Sequence, residues 1–106
     1  MNYIKTYMKK LNAHHSSNYK VVSLFSGAGG SSLGYHLAGY DVLAANEFIK
    51  LAQQAYSANF PDTYLFKEDI RELTGEKILK QIGLKVGELD VLDGSPPCAG
   101  FSRIFF

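Results

Sequence analysis

What the 106-residue chain lacks narrows the field first. A single cysteine, Cys98, excludes any intrachain disulfide, so no covalent staple supports the fold. No run of 18 apolar residues occurs, so no segment has the composition of a membrane-spanning helix. The first twenty residues contain no apolar stretch of signal-peptide length, which makes the cytoplasm the expected compartment and leaves a membrane out of the expected partners. No charge sign dominates either. Eleven basic and ten acidic residues give a formal net charge of +1, and with it no global signature of nucleic-acid binding. The first 40 residues hold no Cys, Asp or Glu, so the His14-His15 pair lacks the companions a metal site needs, and no metal is expected. Repeats and low-complexity tracts are likewise missing.

What is present fits one small globular domain. A hydrophobic content of 46% with 20% charged residues argues against wholesale disorder. A chain of this length buries only about 60–65% of its unfolded surface, so its core is thin. Charge is unevenly placed: residues 1–20 carry four lysines and no acid, and the remainder carries seven basic and ten acidic residues. We therefore expect residues 1–19 to form a flexible basic leader, with Tyr3, Ile4, Tyr7, Met8 and Leu11 at helical spacing, and residues 20–106 to form the folded unit.

From Lys20 onward, strand and helix signals alternate. Val21–Phe25 reads as a short buried strand ended by a glycine cluster. Ser31–Tyr40 reads as a helix with Leu33, Leu37 and Ala38 at helical spacing and Gly39 as its stop. Asp41–Ala45 is a second strand, and Glu47–Phe60 a helix with Phe48, Leu51, Ala52, Ala55 and Tyr56 on one face, ended by Pro61. Thr63–Phe66 is a third strand, Gly75–Ile82 a helix with Ile78, Leu79 and Ile82 inward, and Leu89–Asp93 a fourth strand. This alternation predicts an α/β fold with a parallel sheet flanked by helices. Ligands of such sheets bind outside the carboxyl ends of the strands. Gly27–Gly30, Glu47, Asp69 and Pro96–Cys98 all fall at that edge.

Each of these residues has a bland reading and a chemical one. Three glycines in Gly27-Ala28-Gly29-Gly30 let the backbone approach a ligand closely, with the N–H groups of a helix start behind them, but the same residues suit an ordinary tight turn. They are not the dinucleotide fingerprint, whose third glycine would fall at Ser32. Glu47, twenty residues after Gly27 and at the end of a strand, can accept hydrogen bonds from two ribose hydroxyls, or simply favour a helix start. Phe48 suits an adenine face and the core equally. Asp69 can accept from an exocyclic amine or be an exposed loop acid. In Gly94-Ser95-Pro96-Pro97-Cys98, two prolines stiffen the chain and present a thiol at the ligand edge, although a free cysteine is usually a small buried hydrophobe. An unperturbed thiol of pKa about 8.5 is only about 3% ionised at pH 7, so a nucleophilic Cys98 needs help, and Arg103 is the nearby cation.

Taken together, Phe25-Ser26-Gly27-x-Gly29-Gly30-x-x-x-Gly34, Asn46-Glu47, Ala55-Tyr56-x-x-Asn59-Phe60-Pro61, Asp69-Ile70 and Gly94-Ser95-Pro96-Pro97-Cys98-x-Gly100-Phe101-Ser102 resemble the cytosine-C5 DNA methyltransferases. The match covers residues 21–102 in five ordered blocks. The resemblance implies a Rossmann-like methyltransferase fold with an incomplete sheet, and S-adenosylmethionine as cofactor. Phe25 and Gly27–Gly30 would line its methionine and ribose end, with Ser26 and Pro97 beside it. Glu47 would hold the ribose, and Phe48, Asp69 and Ile70 the adenine. Cys98 would add to C6 of a cytosine flipped out of double-stranded DNA, making C5 nucleophilic toward the methyl group.

Two residues depart from the family pattern: Ala99 stands where glutamine usually follows the cysteine, and Ser23 where an acidic residue often stands. The family's catalytic Glu-Asn-Val block, its Gln-x-Arg-x-Arg block and its DNA-recognition domain have no counterpart in the 106 residues. We therefore expect the amino-terminal, cofactor-binding part of a restriction-modification type of enzyme, inactive by itself and completed by a C-terminal part or a complementing chain. A non-catalytic module binding S-adenosylmethionine or a nucleotide is the alternative.

Overall fold

Short runs of β-branched and small apolar residues, each followed by a glycine or a polar turn, build the strands that carry the molecule. The computed structural model describes residues 19–96; the expected leader helix, His14-His15, Pro97, Cys98, Ala99 and Arg103 lie outside the described residues. The elements are β1 (Lys20–Leu24), α1 (Gly30–Leu37), β2 (Asp41–Asn46), α2 (Lys50–Asn59), β3 (Tyr64–Phe66), a single 3-10 turn (Ile70–Glu72), α3 (Gly75–Ile82) and β4 (Val91–Gly94).

All strand pairs are parallel and their order is β3-β2-β1-β4. The chain therefore moves outward from β1 through β2 to β3, then returns to the other side of β1 for β4. That reversal makes the carboxyl ends of β1 and β4 a topological switch point, where an open α/β sheet has its ligand crevice. Leu24 pairs with Gly94, so the segments that leave β1 and β4 do so side by side.

Two clusters form the core, one on each face, because neighbouring residues of a strand point to opposite sides. Ala45 joins Tyr56 and Phe60, with Leu33 and Leu65 packed against them. Ala44 joins Val22, Phe66 and Ile78, with Leu24, Leu73, Ile82 and Leu89 around them. The α3 boundaries match the sequence expectation: Thr74 caps its start by accepting the Lys77 N–H at 3.1 Å, and Gly83, at φ 73°, ends it.

Other boundaries differ for local reasons. The second helix begins at Lys50 rather than Glu47, because the Glu47 N–H still donates to Phe66 O at 3.0 Å and so extends the β2–β3 ladder. The later start changes its buried face. Tyr56 and Asn59 are buried, whereas Phe48 and Leu51, expected inward, are 63% and 78% exposed. The first helix ends at the exposed Leu37, three residues short of Tyr40, because Gly39 follows at φ 86°. β3 begins at Tyr64 because Thr63 turns its hydroxyl onto Val42 O at 3.0 Å. β4 starts two residues later than expected and runs on to Gly94. Asp90 lies just before it and accepts the Lys20 N–H at 2.7 Å.

Candidate functional site

The turn after β1 is built from left-handed backbone. Phe25, Gly27 and Gly29 have φ of 52°, 58° and 112°. A non-glycine residue there costs about 1–2 kcal/mol, so Phe25 is held by its surroundings. The hold is visible. Ser26 N–H donates to Asn46 O at 3.0 Å, and Gly29 N–H donates to Ser26 O at 3.2 Å. Gly29 is obligatory for a second reason: a Cβ at that position would lie 2.1 Å from Cε2 of Phe60. The ring of Phe60 thus presses directly on the turn, and Asn59 Nδ2 donates to Ala28 O at 3.4 Å from the same helix end. Behind the turn, α1 starts with no side-chain cap and no acidic residue in its first turn.

Glu47 sits opposite, at the end of β2. It is only 8% exposed, and each carboxylate oxygen accepts one backbone N–H: Oε1 from Gly27 at 2.9 Å and Oε2 from Ile49 at 2.8 Å. The acid therefore pins the glycine turn to the β2 end. A carboxylate offers about four acceptor sites, so roughly two remain for a ligand. Next to it Phe48 is a largely exposed ring. The Ser26 hydroxyl oxygen, buried in the turn, has no hydrogen-bond partner among the described residues.

Asp69 follows β3, the neighbour of β2, so the fold does bring it to the same edge as Glu47. Its carboxylate accepts from Arg71 N at 2.9 Å, from Nε at 3.1 Å and from Nη2 at 2.8 Å. The hydrogen bonds from Arg71 lower its pKa to about 2, so Asp69 is anionic throughout the physiological range. Ile70, next in sequence, lines an apolar groove of about 450 Å³ with Leu24, Leu73, Ile78, Leu89 and Leu92, whose walls do not include the glycine turn, Glu47 or Phe48. Ser23, where the resembling family often has an acid, is buried, and its hydroxyl donates to Asp93 of β4 at 3.5 Å.

Sequence reasoning missed the polar residues that support this edge. Tyr56 lies in the core as its place on the apolar helix face implies, and its hydroxyl also shares a buried 2.8 Å hydrogen bond with Ser32 of α1. Asn46 binds backbone carbonyls at the end of β3 and just beyond it, and Gln53 binds carbonyls of the loops after β2 and after β3. A buried-facing polar residue on an otherwise apolar strand or helix stripe was the available signal. No group of three or more potential metal ligands occurs among the described residues, and no described helix is long and apolar enough to cross a membrane.

A parallel α/β sheet with a glycine turn at its switch point and an acid at the end of the neighbouring strand has the Rossmann-like architecture. Comparison with known proteins narrows that architecture to one family. The family model of the C-5 cytosine-specific DNA methylases matches residues 19–104, and the chain belongs to that family. It is 40% identical over 84 residues to the type II methyltransferase M.NgoPII of Neisseria gonorrhoeae, an alignment covering 79% of this chain and 23% of that protein. Among solved structures, it is similar to an E. coli prophage-encoded protein described as a DNA modification methyltransferase. The TM-score is 0.68 and the identity 38%, over 78% of this chain and 24% of the other. A mutant of Spodoptera frugiperda DNMT2 gives 0.62 and 30%, over 76% and 23%. The chain thus spans about a quarter of the length of these relatives.

Proposed function

We propose that this chain supplies the S-adenosylmethionine-binding and nucleophile-bearing part of a DNA cytosine-C5 methyltransferase. The observation that carries the reading is the register of β1 with β4. It starts the glycine turn and the Ser95-Pro96 segment from adjacent strand ends, so the sequence leading to Cys98 leaves the sheet beside the cofactor turn.

The residues present fit the cofactor. The uncapped, acid-free start of α1 suits a carboxylate. The unpartnered Ser26 hydroxyl can serve the same end of the ligand. The spare acceptor sites of Glu47 suit the two ribose hydroxyls, and the exposed Phe48 ring suits the adenine face. When bound, S-adenosylmethionine supplies an electrophilic methyl group.

The protein's part is nucleophilic catalysis. Cys98 gives up its proton, and its sulfur forms a bond to C6 of cytosine. The C5–C6 π electrons are thereby directed to C5, which would take the methyl group as its bond to the sulfonium sulfur breaks and S-adenosylhomocysteine leaves. Removal of the C5 proton then drives elimination, breaking the S–C6 bond and restoring the thiolate. C6 cannot be reached inside a stacked duplex, so the substrate is double-stranded DNA with its target base flipped out. The edge of β4, unpaired among the described residues, and the adjoining apolar groove, with Leu92 62% exposed, favour completion of the sheet by further polypeptide, in the same chain or in a complementing one.

Calorimetry with S-adenosylhomocysteine tests the reading. Glu47→Ala abolishes binding by the 106-residue chain, and Cys98→Ala leaves it unchanged. Wild-type protein that binds no S-adenosyl ligand contradicts the proposal.

A further inference from the structure

Two carboxamides at this edge, one buried and one half-buried, hydrogen-bond neither the glycine turn nor the Asp69 carboxylate. Asn46, the last residue of β2, is buried, and its Nδ2 donates to Phe66 O at 3.1 Å and to Glu68 O at 2.9 Å. Gln53, in the first turn of α2, directs its Nε2 to Glu47 O at 2.8 Å, Phe48 O at 3.2 Å and Lys67 O at 3.3 Å. Two hydrogens are thus shared among three carbonyls. Both amides reach across to the loop after β3, and Gln53 grips the loop after β2 as well. The first of these loops carries Asp69, and the second carries Glu47 and Phe48.

We infer that Asn46 and Gln53 are positioning residues, an amide clamp that fixes the spacing between the 47–49 loop and the 67–69 loop. In doing so they preset the adenosine half of the pocket before the ligand arrives. This rests on the cofactor reading above, and it adds residues that touch no ligand atom. Without the clamp, nothing else on α2 ties the Glu47 and Phe48 carbonyls to Lys67 among the described residues. The loops would then have to be ordered at the expense of binding free energy.

Gln53→Met tests it. Methionine keeps the volume and helix propensity of glutamine and removes both donors. Dissociation constants for S-adenosylhomocysteine and for adenosine are measured at 10 °C, where the variant is folded, alongside amide hydrogen exchange of the free protein. The clamp predicts that both ligands weaken by about 10-fold, the worth of one positioned hydrogen bond. It also predicts faster exchange at the 47–49 and 67–69 amides with the β1 amides unchanged. A purely structural role lowers the melting temperature and leaves both constants alone. Wild-type binding with unchanged constants in the variant overturns the clamp and leaves the cofactor reading standing. Absence of wild-type binding overturns the cofactor reading, and the clamp's cofactor role with it.

Discussion

The two faces of the sheet differ in what they bury. On the face covered by α1 and α2, the cluster of Ala45, Tyr56 and Phe60 is interleaved with buried Ser32 and Asn59, and Phe60 presses on the glycine turn. On the α3 face, Val22, Ala44, Phe66 and Ile78 form an aliphatic and aromatic cluster that opens into an apolar groove. The first face spends part of its interior on hydrogen bonds that aim backbone groups at the strand ends. The second contributes burial. The difference teaches that position, rather than hydrophobicity, marks the working side of this fold.

Substitutions on each face separate these roles. Gly29→Ala has the largest effect, because it forces a Cβ into the Phe60 ring at a backbone φ of 112°. A loss of about 3 kcal/mol or more in unfolding free energy, together with loss of S-adenosylhomocysteine binding, is expected from urea denaturation and calorimetry. Ile78→Ala, on the α3 face, costs about 2–4 kcal/mol in the same denaturation experiment. Its affinity for the ligand stays at the wild-type value at a temperature where the variant is folded. A tenfold loss there would erase the distinction between the faces.

Tyr56→Phe is smaller. It strands the Ser32 hydroxyl in a buried site, and about 1–2 kcal/mol is lost by denaturation. Ser32→Ala combined with Tyr56→Phe recovers part of that loss, since both partners are then gone.

His36 gives the mildest effect. Its ring stacks on Phe60 with centroids 5.6 Å apart, and neither nitrogen has a hydrogen-bond partner among the described residues. Burial pushes its pKa below 6.5, against an upward pull from Asp41. The unfolded chain therefore binds the proton first as pH falls. The stability this residue contributes is complete above pH about 6.5 and is lost as pH drops from there to the lowered folded-state value. Melting temperatures from pH 7.5 to 5 measure this slope, and His36→Phe flattens it.

Much of this architecture was legible in the sequence, and the reason is physical. Strand–helix alternation, the glycine run and Gly83 carry local constraints that read directly from residue type, and the four strands and three helices among the described residues fall where those signals stand. The strand order did not read locally, because it depends on where the chain returns after α3. Phe48 and Leu51 misled for a related reason. An apolar stripe at helical spacing assumes that the helix starts at Glu47, whereas the carboxylate of Glu47 is used to hold the Gly27 and Ile49 N–H groups and delays the first turn. At the site, Glu47 and the glycine turn were legible as a pair twenty residues apart. Asp69 was legible only in part, since its tie to Arg71 has no sequence signal beyond proximity. Ile70 lies on the α3-side groove, a placement that depends on the packing of α3 and has no local sequence signal.

The most direct measurement is a nitrogen-15 NMR titration of the 106-residue chain with S-adenosylhomocysteine. Amide shifts concentrated at residues 25–32 and 47–49, with the groove residues Leu73, Ile78 and Leu89 unmoved, are the predicted result. Shifts centred on the α3 groove, or none at saturating ligand, would contradict it.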